Sequence, residues 1–288
     1  MSQLQEYSGT VLVSSRPDIH IFYRSTHAIP IPTTTPVILL SNSLAATTTL
    51  WNLFVAEFAA THAILRYDAR FHGNSPLAEG DYDYEAGHTL ETLAEDVAVL
   101  LRHLGVARPA KAFIGLSIGA SVGVVLAAKH PDLFERFLIV GTKAHKGGAG
   151  DDAAYDARIA AIREGGAATQ ARQSVERWFG ASWIRENPVK AGEVADMVAG
   201  LSLEGFLASV AALRKLDLWP YADDIGRRGE GAKVVFVAGE NDSRAVVGET
   251  KQLAERAGSE CVLVEGAGHI VNIEQPSRFH DIVRRALQ

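Results

Sequence analysis

A single cysteine, Cys261, stands among 288 residues. No intramolecular disulfide can form, and a cysteine-based metal site is excluded. Its run, Cys261-Val262-Leu263-Val264, reads as a strand with the thiol buried as a small hydrophobe. Basic residues are also scarce: 28 Lys and Arg face 34 Asp and Glu, for a formal charge of -6. They do not cluster beyond pairs such as Arg227-Arg228 and Arg284-Arg285. Nucleic acid is therefore not expected as a partner, because phosphate binding calls for a basic patch. Long hydrophobic runs are missing. The longest uncharged stretch, Ala112 to Ala128, is too short and too rich in Gly and Ser to span a membrane. The opening MSQLQEYSGT lacks the basic-then-apolar order of a secretory signal. The expectation is a cytoplasmic protein without membrane association.

The hydrophobic share is 47% and the charged share 22%, as in ordinary globular chains able to bury a core without disulfides. The length suits two average domains, or one large domain carrying an insertion. Short apolar runs alternate with helical patterns, which favours the second. Gly9–Val13 and Ile19–Tyr23 read as a pair of strands around Pro17-Asp18. Further strands are expected at Val37–Leu40, Ala63–Tyr67, Ala112–Leu116, Phe137–Val140, Lys233–Ala238 and Cys261–Val264. Their continuous apolar character suits parallel strands covered on both faces. Thr92–Leu104 carries apolar residues at helical spacing and stops at Gly105. Helices are also expected at Ile118–Lys129, near Glu249–Ala257 and after Pro276.

The alternation breaks after Gly141. Gly147, Gly148 and Gly150 read as a hinge, and only helical patterning follows to about Leu216. The expected architecture is α/β: a mostly parallel eight-stranded sheet with helices on both faces and an inserted helical cap. Residues 1–142 and 218–288 would form the core, and 143–217 the cap. A site would then lie at the carboxyl ends of the strands, beneath the insertion.

Between the Ala112–Leu116 strand and the next helix runs Gly115-Leu116-Ser117-Ile118-Gly119-Ala120. This is a G-x-S-x-G turn in the strand–turn–helix context that exposes a nucleophilic serine. Side chains two residues before or after such a sharp turn would collide with neighbouring chain, which glycine avoids. Serine at its ordinary pKa needs an adjacent base. His269, in the Gly-rich loop Glu265-Gly266-Ala267-Gly268-His269 after the last strand, is the expected base; His72 is its main rival. Asp242, just beyond the Lys233–Ala238 strand, is the expected orienting acid, with Glu240 as fallback. The loop Gly141-Thr142-Lys143-Ala144 offers no carboxylate. Two amide donors should hold a tetrahedral oxyanion. Ile118 supplies one, and the loop Ser41-Asn42-Ser43-Leu44-Ala45 the other, from Leu44 first and Ser43 next.

Leu40-Ser41-Asn42-Ser43-Leu44, the stretch Leu65 to Ser75, Gly115-Leu116-Ser117-Ile118-Gly119 and Gly266-Ala267-Gly268-His269 together resemble the 3-oxoadipate enol-lactonase branch of the α/β-hydrolases. The likeness covers nearly the whole core and weakens in the insertion, although Leu203-Glu204-Gly205-Phe206 is similar too. It implies the same nucleophile, acid, base and oxyanion loop. Four departures stand out. Phe71 and Ala45 occupy positions where that family commonly has glycine, and both are expected to face the pocket. The loop after Asp242 lacks a customary proline, and the Pro/Thr connection near Pro30–Pro36 is extended. In the insertion, Trp178, Phe179 and Trp183, with Trp219 at its exit, either wall an apolar pocket or pack the helices together. Ser43, Trp178 and Trp183 are the candidate substrate contacts. Arg177 and Arg185 are more simply read as solvated helix positions.

The expected function is hydrolysis of a small carboxylic ester or lactone, without a cofactor or metal. The alternatives are a general carboxylesterase, a carbon–carbon bond hydrolase of ring-cleavage products, and a ligand-binding receptor or lyase on the same fold. Oligomeric state is left open, a homodimer included.

Overall fold

The computed structural model describes residues 4–288. Strands β1 (Tyr7–Ser15) and β2 (Asp18–Ser25) form an antiparallel pair. They are followed by β3 (Val37–Ser41), α1 (Asn52–Phe58), β4 (Ala63–Tyr67) and α2 (Leu90–His103). Then come β5 (Ala110–Leu116), α3 (Ile118–Lys129) and β6 (Phe134–Val140). Four helices follow: α4 (Ala149–Glu186), α5 (Pro188–Ala199), α6 (Leu203–Leu213) and α7 (Trp219–Arg227). The chain closes with β7 (Val234–Gly239), α8 (Arg244–Ala257), β8 (Glu260–Val264), α9 (Val271–Glu274) and α10 (Pro276–Ala286).

All eight strands join one sheet in the order β1-β2-β4-β3-β5-β6-β7-β8. It is parallel from β4 to β8, and β2 meets β4 antiparallel. Every residue of β3 and β4 is buried, as expected for apolar runs covered on both faces. α2 starts two residues before its expected boundary because Thr89 Oγ1 accepts a hydrogen bond from Thr92 N at 3.2 Å, satisfying a free helix-start donor. α8 also starts early. Ser243 caps it through Val246 N. α3 is buried from Ile118 to Ala128, packed on β5 and β6 and against α2 and α7. An all-apolar helix can occupy only such a place.

Two expectations change. The glycines at 147, 148 and 150 do not form a free hinge: α4 begins at Ala149, and Asp151 accepts a hydrogen bond from Gly147 N. Cys261 is only half-buried, because β8 is the last strand of the sheet and has no neighbour beyond it. The helices between β6 and β7 also divide. α4 leaves helical geometry at Gly166 (φ 69°) and Gly180 (φ 71°) and packs on α5 and α6, whereas α7 returns to α3 and α8. Glycine is the residue that takes such left-handed angles without a Cβ clash. Among the described residues, no single helix is long and apolar enough to cross a membrane.

Candidate active site

Ser117 sits between β5 and α3 with φ 59° and ψ -117°, outside the regions open to ordinary side chains. Its amide donates to Val140 O at 2.8 Å, fastening the turn to β6. Sterics explain the flanking glycines. A Cβ on Gly115 would come within 2.2 Å of Gly119 O, and one on Gly119 within 2.7 Å of the carbonyl oxygens of Ser41 and Asn42. No side chain fits at either place. Ile118 opens α3, so its amide is one of the helix-start donors without an intrahelical acceptor.

The strand ends of β7 and β8 bring the second group. Nδ1 of His269 and Oδ2 of Asp242 lie 2.7 Å apart, with the two side chains only 13% and 8% exposed. The other Asp242 oxygen accepts from Ser243 N at 2.6 Å, so the carboxylate is held at both ends. Asp242, not the fallback Glu240, is the acid paired with His269; the amide of Glu240 donates to Val264 O. A one-sided pair of this kind fixes the imidazole so that Nε2 is the free nitrogen. His72 is elsewhere, its Nδ1 against Arg70 O at 2.9 Å and its pKa lowered by burial.

Ser117, Ile118, Ser43, Leu44, Asp242, His269, Trp178 and Trp183 all line one cavity of about 560 Å³. The loop carrying Ser43 and Leu44 is pinned from below. Asn42 Nδ2 donates to Tyr67 O, Trp51 Nε1 donates to Asn42 Oδ1, and Ser41 Oγ pairs with the Tyr67 hydroxyl.

Phe71 and Ala45 do not line that cavity. Both adopt left-handed backbone, with φ 65° and 69°, which is the physical reason glycine is favoured at such positions. Phe71 is instead buried against Tyr82, Tyr84 and His88. Magnitudes separate the two. Replacing Phe71 with glycine relieves about 1–2 kcal/mol of left-handed strain but forfeits about 3–5 kcal/mol of aromatic packing. Phe71→Gly is therefore expected to destabilise by about 1–4 kcal/mol. Ala45→Gly, exchanging similar relief for one buried methyl, should stay within about 1 kcal/mol. Denaturant midpoints of both variants check this, and equal losses would contradict it.

The aromatic residues also divide. Phe179 and Trp183 stack at 4.2 Å with planes 14° apart, and both line the cavity with Trp178. They pack the helices and wall the space together. Trp219 stands outside, beneath the Arg256 guanidinium at 4.6 Å. Arg185 is absent from the lining, but Arg177 is present and is joined by Arg158, which periodicity gave no reason to single out. The break at Gly166 lets two stretches of α4 bring them to one cavity. Arg158 is pushed down to about 9 by burial and by Arg177, and its Nε is buried without a partner. Arg177 is open to solvent inside the cavity, yet enclosed enough that desolvation lowers its pKa. Among the described residues, no carboxylate acts on either guanidinium. Glu274 is a further lining residue that the sequence did not single out. Its only sequence signal is an acid inside the apolar stretch after His269.

The alpha/beta hydrolase family profile matches residues 37–282. The chain is 30% identical over 253 residues to 3-oxoadipate enol-lactonase 2 of Acinetobacter baylyi, covering 88% of this chain and 89% of that one. It is 25% identical over 248 residues to RutD of Agrobacterium fabrum, whose name assigns it to carbamate hydrolysis, covering 85% and 90%. The crystal structure of the enol-lactonase from Burkholderia xenovorans superposes with a TM-score of 0.80 at 30% identity, covering 93% of this chain and 96% of that one. By profile, sequence and three-dimensional likeness, the chain belongs to the alpha/beta hydrolase family, close to its 3-oxoadipate enol-lactonase branch.

Proposed function

We propose that this protein hydrolyses small carboxylic esters or lactones through an acyl-enzyme formed on Ser117. The observation that carries the reading is the Asp242–His269 pair and the strained Ser117 turn on the wall of one cavity. His269 Nε2 takes the Ser117 proton as Oγ attacks the carbonyl. Asp242 stabilises the imidazolium that results, and the amides of Ile118 and Leu44 receive the oxyanion. His269 then returns the proton to the leaving oxygen. In the second half, water gives its proton to His269 and adds to the acyl carbon; the bond to Ser117 Oγ then breaks as His269 returns the proton to that oxygen, releasing the acid. Residues 143–217 act as a cap over this chemistry, and Ser43, Trp178 and Trp183 contact the substrate.

The two arginines narrow the substrate class. Cations without acidic partners, facing a cavity, favour a ligand that brings the negative charge. An ester or lactone bearing a carboxylate away from its scissile bond meets that need, and the enol-lactonase relatives support a cyclic one. The direct test is labelling with a fluorophosphonate probe, followed by peptide mapping. The expected adduct is on Ser117 alone. A protein that stays unlabelled would be a binding module or lyase on the same fold. A turnover panel of carboxylated lactones, neutral p-nitrophenyl esters, carbamates and vinylogous diketones then sorts the hydrolase readings, with carboxylated lactones expected to be fastest.

A further inference from the structure

His269 is held by its neighbours as much as by Asp242. The carboxylate of Glu274, at the end of α9, spans both peptide groups around it. Oε2 accepts from Gly268 N at 2.8 Å and Oε1 from Ile270 N at 3.2 Å. The amide of His269 donates to Trp178 O at 3.0 Å, from α4. A Cβ on Gly268 would come within 2.8 Å of that carbonyl and 3.1 Å of Glu274 Oε1, so residue 268 has no room to shift. Asp242 fixes the rotation of the ring, but the position of the ring follows the backbone beneath it. Three successive amides of that backbone are spoken for.

We propose that Glu274 is a positioning residue of the reaction: its ionised carboxylate, bonded to the amides on either side of His269, sets where the imidazole stands relative to Ser117. The inference rests on His269 being the base. Only the ionised form can accept at both oxygens without competition, because a protonated oxygen becomes a donor and is repelled by an amide N–H. The groups facing the carboxyl are the amides of Gly268 and Ile270, His269 and Asp242. Burial pushes Glu274 up to about 7; the two amides and His269 draw it down, and Asp242 pushes it further up. A fall in pH through neutrality therefore removes one loop anchor. The imidazolium formed in each half-reaction also gains a nearby negative charge when Glu274 is ionised.

The test is the pH dependence of kcat/KM for wild type and Glu274→Gln, measured on a p-nitrophenyl ester from about pH 5 to pH 9. Active sites are counted by phosphonate titration, so that misfolded protein does not enter the rate. Glutamine keeps the shape and one acceptor but turns an N–H towards the second amide. The expected result is a fall in kcat of about 10- to 100-fold with KM within about two-fold. The acid limb should change from two protons in wild type to one in the variant. An unchanged kcat in the variant would overturn the proposal, as would a one-proton limb in wild type, which needs no variant to fold. Failure of the underlying reading looks different: the phosphonate would then leave wild-type Ser117 unmodified.

Discussion

Ser117→Ala should lower kcat by about 10⁵- to 10⁶-fold while leaving the fold intact. Alanine retains the strained backbone of the turn, so the turn should stand and the melting temperature should move by no more than about 2 °C. The alanine variant cannot form the acyl-enzyme, and whatever rate survives comes from the amide donors and binding alone. In the proposed mechanism the acting groups form one unit, so adding His269→Ala to Ser117→Ala should cost little further. Full activity in the single variant, or multiplication of the two losses in the double one, would end the acyl-enzyme reading. The rate should also fall on the acid side, since an imidazolium cannot accept the serine proton. Steady-state kinetics and thermal melts on the same preparations separate lost chemistry from lost structure.

The second large effect is expected at the arginines. In Arg158→Met/Arg177→Gln, kcat/KM for a carboxylated lactone should drop by about 100-fold or more, since each charge-assisted contact contributes roughly 1.5–3 kcal/mol. For a neutral p-nitrophenyl ester the change should stay within about three-fold, because no anion is left to hold. Stability should hold or rise. Neither guanidinium has an acidic partner among the described residues, and Arg158 Nε is buried without an acceptor. Removing such a group removes a desolvation cost, offset only by the ring faces of Tyr155 and Phe206 under Arg158, by that of Trp178 under Arg177, and by the long bonds of Arg177 to Gln173 O and Ser174 Oγ. Equal losses on both substrates would mean that the arginines shape the cavity without selecting charge. A drop in melting temperature would place them in the packing instead.

The two sites differ in how they could be read beforehand. Gly115 declares the serine turn because its reason is local: the collision it avoids is with Gly119 O, whereas Gly119 makes way for the backbone of Ser41 and Asn42 at the end of the neighbouring β3. The spacing of β-branched runs declares the sheet because burial on both faces leaves no polar alternation. The loop after β7 is harder, since Glu240 and Asp242 are two residues apart and only the hydrogen bonding of the turn decides which one faces His269. Phe71 and Ala45 mark the limit. Their departure from glycine is visible in the sequence, but its meaning is a backbone angle and, for Phe71, a cluster with Tyr82 and Tyr84 outside the cavity lining.

By itself, the order of residues determined the alternating layers, the serine turn and the glycine-rich loop of His269, all of which rest on short-range sterics and periodic burial. Three-dimensional packing decided the rest. The break in α4 at Gly166 brings Arg158 and Arg177 to one cavity from positions nineteen residues apart in number. The sheet edge half-exposes Cys261, and α9 folds Glu274 back onto the amides around His269. Charges on separate segments have no fixed distance until the chain is packed, and a charge acts through its distance to others.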